Sequence, residues 1–364
     1  MIKFSFIIPV YNCGQFLELC VKRVVDIGLL NYEIILVDDG SVDNTSSICV
    51  SMEMLYPEIR YIYQENQGVS SARNRGIKES KGEFILFVDA DDSFDSDEMF
   101  QLLKIMENDS AADLAICGMT FDYYYHGNCY RSDKLSYPFT GIMEYACWNR
   151  KLIDLYEVNA LSPVWNKIFR KDIIVQNKLF FNEDMFLYED LDFSLRYLAC
   201  CDTIYISSQC IYHYRQSEDE GNAKRRLKRI DSLTDFIRPI ESTLAKFIKH
   251  NKTDVLCKQI TYIRLKLYIV LILEKISIAG IREIKQMCCQ FTSWYKELDQ
   301  DVLDELPDRE KKMVDYLLKN KSKTLCILSK LTYIRHQIAI RIKNTSFYQR
   351  RKSYAKVLEE SKGL

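Results

Sequence analysis

The sequence lacks the features that mark nucleic-acid-binding, disulfide-stabilised and membrane-spanning proteins. Its net charge is only −1 over 364 residues, so the chain as a whole gives no electrostatic reason to expect a nucleic-acid partner. Its 13 cysteines form no Cys-x-x-Cys pair and no signal peptide precedes them, so we predict reduced thiols in a cytoplasmic protein. The apolar run "LYIVLIL" (267–273) is bounded by Lys266 and Glu274 and is shorter than the roughly 18–20 residues that span a bilayer.

The first third of the chain, in contrast, alternates regularly between apolar runs and helical patterns. The predicted strands are 4–10, 32–38, 59–63, 83–89 and 113–119, and the predicted helices lie near 15–27, 43–54, 69–80 and 96–108. The first, second and fourth runs are continuous rather than alternating, as in strands that are buried on both faces. This pattern predicts an α/β fold with a mostly parallel sheet flanked by helices.

Polar residues follow three of the predicted strands. They form the segments "PVYN" (9–12), "VDDGS" (37–41) and "VDADDS" (88–93). In sheets of this kind ligands bind outside the carboxyl ends of the strands. We therefore expect these three segments to form one binding site.

The third segment places Asp89, Asp91 and Asp92 after a buried strand. Carboxylates this close repel one another, so the cluster needs a counter-charge. Residues i and i+2 of an extended chain face the same way, so Asp89 and Asp91 would address one ligand. A hard divalent cation, Mn²⁺ or Mg²⁺, prefers oxygen ligands and keeps positions open for phosphate oxygens. With such a cation, the acidic pocket would accept a diphosphate that it would otherwise repel.

Other interpretations of "DADDSFDSDEMF" (89–100) compete with a metal site. An acidic turn that opens a helix, with Asp92 or Ser93 as its N-cap, would need no ligand. A calcium-binding EF-hand loop fails because Phe94 and Phe100 stand where glycine and glutamate are needed. A phosphohydrolase with an aspartate nucleophile would need supporting motifs that we do not identify. The glycine-rich patterns GxxxxGK and GxGxxG are also absent, so neither loop holds phosphates here.

Four motifs in series resemble the family 2 glycosyltransferases of the GT-A fold. They are "FSFIIPVYNCGQFLELCVKRV", "EIILVDDGSVDNT", "NQGVSSARNRGI" and "KGEFILFVDADD", and together they cover most of residues 4–100. The resemblance implies an inverting, metal-dependent enzyme that uses a nucleotide-diphosphate sugar, and it extends more loosely to about residue 215. It also implies nucleotide-sugar-binding roles for Pro9, Val10, Tyr11, Asp39, Arg73, Asp89 and Ala90. In that scheme the first three line the nucleobase pocket, and Asp39 hydrogen-bonds the base, typically uracil.

The same resemblance implies the metal ligands and the general base. Asp91 would bind Mn²⁺ or Mg²⁺, Asp92 would share or take over that role, and His213 of "YHYR" would complete the site. The pair in "YED" (188–190) would supply the base, Asp190, with Glu189 as its neighbour. An alternative is that both acids merely favour the start of a helix, and a lone histidine such as His213 is also often structural.

Further along the chain, "WNKIFRKD" (165–172) resembles a segment that precedes the acceptor region in related enzymes. Trp165 would stack on a sugar face, with Asn166 and Lys167 nearby. The alternative is an aromatic side chain that anchors a loop.

We expect residues 1–220 to form the GT-A catalytic domain and residues 221–364 to form a helical, basic C-terminal extension. Residues 308–364 hold 15 Lys and Arg against 5 Asp and Glu, and basic clusters stand at 225–229 and 349–353. Such a surface would dock on an anionic membrane, although a solvated surface or a dimer contact is also compatible with it. Nucleic acid is the least favoured partner, because no known nucleic-acid-binding module accompanies the charge.

Taken with the resemblance, these patterns predict transfer of a sugar from a UDP-sugar to a glycan or lipid-linked saccharide acceptor, in the biosynthesis of a cell-surface polysaccharide such as a capsule. The enzyme would be cytoplasmic and peripheral at the inner membrane face. A non-catalytic sugar-nucleotide or glycan-binding protein on the same fold is one alternative. A metal-dependent phosphohydrolase is another.

Overall fold

The computed structural model describes residues 2–108, 112–125, 127–217, 238–245, 254–276, 281–296, 308–321 and 324–325. Its strands are β1 Phe4–Val10, β2 Tyr32–Asp39, β3 Ile59–Gln64, β4 Phe84–Phe87, β5 Ser93–Phe94, β6 Leu114–Tyr125, β7 Asn128–Leu135, β8 Gly141–Glu144, β9 Lys167–Arg170 and β10 Thr203–Ser217. Its helices are α1 Gly14–Val25, α2 Thr45–Leu55, α3 Val69–Glu79, α4 Ser96–Asn108, α5 Tyr145–Trp148, α6 Leu152–Glu157, α7 Lys171–Gln176, α8 Glu189–Leu198, α9 Asp254–Ile276, α10 Ile281–Tyr295 and α11 Asp308–Leu318. Residues 238–245 are helical as well.

One mixed sheet lies at the centre of the described residues. Its order is β3-β2-β1-β4-β9-β6-β10-β5, with β7 beside β6 and β8 beside β10. Strands β1 to β4 pair with one another in parallel, as predicted from the alternation of strands and helices. Helices cover this part of the sheet because their apolar residues recur at helical spacing, as Leu17, Val21 and Val24 of α1 do in the core.

The parallel strands end at the same edge of the sheet, which brings the three polar segments together. Val10 pairs with Asp38, and Ile7 pairs with Phe87, so β1 and β2 end at nearly one level and β4 ends three residues before it at the same edge. Within the parallel part of the sheet, the expected α/β architecture is confirmed.

The segment between β5 and β10 adds antiparallel strands that the helical alternation did not predict. Strand β9 lies antiparallel between β4 and β6, and both β5 and β8 pair antiparallel with β10. Antiparallel neighbours need no crossover helix, so the strand–helix alternation that marks a parallel sheet is missing from this part of the sequence. Strand β9 carries Lys167, and β10 carries His213, which are two of the predicted site residues.

The chain divides into two compact units. The first consists of Met1–Tyr123, Ser132–Ser217 and Arg238–Ile260, and the second of Tyr124–Arg131, Glu218–Ile237 and Thr261–Leu364. The predicted boundary at residue 220 stays a prediction, and the basic clusters at 225–229 and 349–353 lie outside the described residues. None of the helices in the described ranges combines the length and the apolar character needed to cross a membrane.

Candidate active site

The carboxylate of Asp39 organises the loop between β3 and α3. Its oxygens accept hydrogen bonds from the backbone amides of Gln67 and Gly68 and from the side chain of Gln64, each at 2.8 Å. Gly68 has a φ of 93°, a left-handed conformation that favours glycine. The side chain of Asn66 adds a bond to the carbonyl oxygen of Asp39 at 2.9 Å. Asp39 therefore fixes a polar loop at the edge of the sheet, and its contact with a base stays a prediction.

The exit of β1 forms the opposite wall of the predicted donor pocket. Val10 is buried, Pro9 is half-buried, and Tyr11 projects with 51 % of its surface exposed. The chain then turns at Asn12, whose φ is 50°, and two hydrogen bonds tie it to the exit of β2. Tyr11 thus presents an aromatic ring at the edge where the base of a nucleotide is expected.

The three aspartates after β4 have three different surroundings. Asp92 is buried and accepts hydrogen bonds from the Tyr212 hydroxyl at 3.0 Å and from the Arg215 amide at 2.7 Å. Asp89 forms a 3.0 Å ion pair with Arg73. Asp91 is exposed. Burial and the charges of Asp89 and Asp91 raise the pKa of Asp92 well above its usual value.

A divalent cation fits this cluster best at Asp91. Partial desolvation and the charge of Asp89 raise the pKa of Asp91, and a bound cation would relieve that repulsion. No group of three or more His, Cys, Asp or Glu side chains in the described ranges is arranged to hold a metal ion. Mg²⁺ is commonly held by one or two carboxylates and substrate phosphates, so a site at Asp91 would be completed by the diphosphate. To bind a metal ion, the Asp92 carboxylate would have to give up its hydrogen bonds from Tyr212 and Arg215.

His213 lies on β10 with Nδ1 2.9 Å from Oδ2 of Asp122. A carboxylate at one ring nitrogen is also the usual partner of a metal-bound histidine, because it orients the ring. The contact is compatible with the predicted metal role of His213 but does not test it.

Arg73 joins the donor side of the site to the predicted base. Its guanidinium is buried and lies 3.0 Å from Asp89 and 2.6 Å from Asp190. Burial lowers the pKa of Arg73, but the charges of Asp190, Asp89 and Glu189 outweigh it and raise the pKa above its usual value. The guanidinium also lies 5.3 Å from the Phe181 ring. Two carboxylates 101 residues apart in sequence are therefore held on one cation.

The predicted base, Asp190, lies in the first turn of α8. Tyr188, directly before the helix, has a φ of 61°, which is uncommon for a residue other than glycine and marks a strained entry. Asp190 keeps 22 % of its side chain exposed. Desolvation, Glu189 and Asp89 raise its pKa while Arg73 and Lys167 lower it, and the net result is a pKa of about 7. A carboxyl group that titrates near neutral pH suits a general base.

The three residues predicted to bind the acceptor all lie inside the protein. Trp165 is 7 % exposed and stacks on Tyr212 and Tyr214, with ring centroids 4.3 and 5.2 Å apart. Asn166 is buried and donates to the carbonyl oxygen of Cys117 at 3.1 Å. Lys167 is buried as well, with its ammonium bonded to protein oxygens. In this conformation all three side chains are enclosed, and Trp165 packs on the tyrosine that donates to Asp92.

The sequence reasoning missed several residues that build the site. The Tyr212 hydroxyl accepts a hydrogen bond from the backbone amide of Asp89 and donates one to the carboxylate of Asp92. Phe181 lies under Arg73 and stacks on Phe193 of α8 at 4.2 Å. The signal for Tyr212 was its place beside His213, whereas nothing in the local pattern marks Phe181. A cavity of about 910 Å³ is formed by residues 137–158 and contains none of the predicted site residues.

Comparisons with curated sequences point to glycosyltransferases. The chain is 30 % identical over 215 residues to the uncharacterized glycosyltransferase YibD of Escherichia coli K12, a match that covers 58 % of this chain and 61 % of that protein. It is 28 % identical over 225 residues to the minor teichoic acid biosynthesis protein GgaA of Bacillus subtilis 168, covering 60 % and 48 %. The chain thus spans about three fifths or less of the length of these relatives.

Solved structures show the same fold. TarS residues 1–349 of S. aureus, in complex with UDP-GlcNAc, has a TM-score of 0.69 at 17 % identity, with 92 % of each chain covered. A mannosyltransferase from Pyrobaculum calidifontis, in complex with GDP-Man and Mn²⁺, has a TM-score of 0.51 at 14 % identity, with 89 % of this chain and 87 % of that chain covered. At these identities the likeness establishes the GT-A fold alone.

The family model with the description "Glycosyl transferase family 2" matches residues 5–168. That range holds β1 to β4, the polar edge with Asp39, Arg73 and Asp89–Asp92, and the start of β9. Residues 5–168 of the chain are therefore assigned to glycosyl transferase family 2.

Proposed function

We propose that this protein transfers a sugar from a nucleotide-diphosphate sugar, with UDP as the nucleotide, to a glycan or lipid-linked saccharide acceptor. The observation that carries the proposal is that one site holds two acids of different character: Asp91 is exposed, and Asp190 has a pKa of about 7. Arg73 links the two sides of this site through its ion pairs with Asp89 and Asp190. Membership of the family supports it, and so does the common fold with TarS, which was solved with UDP-GlcNAc.

In the proposed reaction Asp190 accepts the proton of the acceptor hydroxyl. The acceptor oxygen forms a bond to the anomeric carbon as the bond from that carbon to the diphosphate breaks, so the configuration inverts. An ionised carboxylate is required for this role, and the family resemblance assigns it to Asp190. Glu189, beside it, raises its proton affinity, whereas Arg73 lowers it and fixes its direction.

The donor would lie along the polar edge of the sheet. Pro9, Val10 and Tyr11 would meet the base from one side, and the loop held by Asp39 would meet it from the other. Asp89 and Ala90 would lie near the ribose. Asp91 would hold Mn²⁺ or Mg²⁺, with Asp92 and His213 as the further proposed ligands. A bound divalent cation would supply positive charge to the leaving diphosphate.

Acceptor binding is proposed for the surface above Trp165, Asn166 and Lys167, since these buried residues shape the floor of the site. A place in cell-surface polysaccharide assembly is supported by the relative GgaA, whose name refers to teichoic acid biosynthesis. We propose residues 1–220 as the catalytic domain and 221–364 as a basic helical region that meets the inner membrane face from the cytoplasm.

Nucleotide release from a panel of UDP- and GDP-sugars tests this function directly. The panel is measured with Mn²⁺, with Mg²⁺ and with EDTA, for wild type, for Asp91→Asn and for Asp97→Asn. Asp97 is exposed in the first turn of α4, so its variant is a matched control for loss of one nearby charge. We expect metal-dependent UDP release from one or two sugars, a loss of at least about 100-fold in D91N, and wild-type rates in D97N.

Two results would contradict the transferase. Donor binding without turnover, even with glycan acceptors present, would favour a non-catalytic sugar-nucleotide-binding protein. Turnover that no acceptor accelerates and that liberates free sugar or phosphate would favour a hydrolase.

A further inference from the structure

Lys167 is a buried lysine that the proposed transfer does not use directly. It begins β9 and exposes only 1 % of its surface. Its ammonium donates hydrogen bonds to the carbonyl oxygen of Pro163 and, at 3.0 Å, to Oδ1 of Asn166. Both acceptors are neutral, and a buried charge that lacks a charged partner is costly. The positive charge of this ammonium therefore needs a carboxylate nearby.

The packing of α8 against β9 supplies that carboxylate. The ring of Phe169 contacts Phe193 at 5.6 Å and Tyr197 at 4.9 Å, and the amide of the next strand residue, Arg170, donates to the Tyr197 hydroxyl at 2.8 Å. The C-terminal part of α8 therefore lies beside the end of β9. Lys167 precedes Phe169 by two residues and shares its side of the strand. Asp190 precedes Phe193 by three residues and shares its side of the helix. Strand β9 is antiparallel to β4, so Lys167 at its start lies near the end of β4. Arg73 holds Asp190 to Asp89, which follows β4, and so brings Asp190 to the same end of β9.

We propose that Lys167 is a positioning residue for the base: with Arg73, its buried ammonium keeps the Asp190 carboxylate ionised and directed toward the acceptor hydroxyl. The inference rests on the proposed transferase function and adds a residue that the donor and acceptor do not touch.

Charged and titratable groups face Asp190 from each element around it. They are Arg73 of α3, Asp89 after β4, Glu189 of α8, Lys167 of β9 and Tyr214 of β10. The two cations lower the pKa of Asp190 against its burial and the two acids. Burial lowers the pKa of Lys167 to about 7, while Asp190 and Cys117 of β6 oppose that change. Loss of the Lys167 charge would therefore raise the proton affinity of the base.

The test compares pH profiles of kcat/KM for UDP release at saturating metal, using the donor that wild type turns over. Lys167→Gln removes the charge but keeps a donor for Pro163 and Asn166, and Lys167→Arg keeps the charge. Lys171→Met is the matched control, since the Lys171 ammonium is half-buried and bonds the carbonyl oxygen of Ser80. We expect the acidic limb of K167Q to move to higher pH by about one unit, with K167R and K171M at the wild-type position.

A K167Q profile that falls equally at all pH values, with its acidic limb unmoved, would overturn the inference and leave a structural role. Should K167Q fail to fold in thermal unfolding, Asn166→Ala provides the second test, because it deletes the 3.0 Å anchor of the ammonium. The limb of N166A is then expected to move in the same direction, and a limb that coincides with wild type would overturn the inference. Absence of turnover in wild type would instead contradict the proposed function.

Discussion

Asp190 is half-buried and Asp92 is buried in the same site, and their surroundings suit different tasks. Asp190 faces two cations and keeps part of its side chain at the surface, so it can exchange a proton with a bound molecule. Asp92 accepts hydrogen bonds from Tyr212 and Arg215 and ties β10 to the chain after β4. Asp91, directly before Asp92 in the sequence, is the exposed acid of the 89–92 cluster. At the scale of single residues, the surroundings of each side chain therefore distinguish the acid proposed for proton transfer, Asp190, from the acid that holds two segments together, Asp92.

The pKa of Asp190, about 7, predicts the pH dependence of the reaction. The base must be ionised, so kcat/KM is expected to be maximal above that pKa and to fall about tenfold per pH unit below it. Asp190→Asn should lower kcat/KM by about 10²–10⁴-fold while donor affinity stays within about twofold. The measurement is a pH profile of UDP release together with calorimetric titration of the donor.

Asp184→Asn is the control, since Asp184 is an exposed acid six residues before the base. Its profile should match wild type. A D190N enzyme with wild-type turnover at high pH would exclude Asp190 as the base.

At the scale of elements, the site depends on how closely α3 approaches β1. Gly76 faces Ile7 across this contact, and a Cβ at position 76 would overlap the Ile7 side chain. The close approach places Arg73, one turn earlier in α3, within reach of both Asp89 and Asp190. A second tie comes from Asn74, which exchanges hydrogen bonds of 2.7 and 3.0 Å with the backbone of Phe181.

Gly76→Ala is therefore expected to destabilise the fold. Overpacking costs about 1–3 kcal/mol, whereas the gain in helix propensity is about 0.5–1 kcal/mol, so the free energy of unfolding should fall by about 1–2 kcal/mol. Urea unfolding measures it, with Ser51→Ala, an exposed position of α2, as the control. A G76A protein as stable as wild type would mean that α3 and β1 are packed less tightly than described.

At the scale of the whole molecule, the charge is unevenly distributed. The chain is nearly neutral overall, yet residues 308–364 carry a strong excess of Lys and Arg. Among the described residues, exposed basic side chains stand on or after α10 and α11, and they include Arg282, Lys285, Lys312, Lys319 and Lys321. An anionic membrane attracts each basic residue near its surface by about 1 kcal/mol.

The full chain is accordingly expected to bind vesicles that contain phosphatidylglycerol more tightly than vesicles of phosphatidylcholine alone. Binding should weaken as salt rises, because the charges are screened. Cosedimentation measures it, with Arg282→Glu/Lys285→Glu as the weakened variant and Lys22→Glu/Arg23→Glu, exposed on α1, as the control with the same change in charge. Equal binding to both kinds of vesicle would contradict a membrane role for this surface.

The sequence alone predicted the first four strands and the polar edge where they end. Those features are local: a continuous apolar run such as 32–38 is buried on both faces wherever it packs, and the residues after it must leave the sheet. The order of the four motifs was also sufficient to indicate the family, because that pattern is written in consecutive residues.

The tertiary structure decided which of these residues act and which support. Only packing shows that Asp92 is enclosed while Asp91 is exposed. Packing also shows that the three predicted acceptor residues, Trp165, Asn166 and Lys167, are buried. These outcomes depend on antiparallel strands β9 and β10, whose partners lie far away in the chain. Burial and charge pairing are set by such distant neighbours, so the sequence determines the candidate groups, and the fold determines the proton affinity and direction of each.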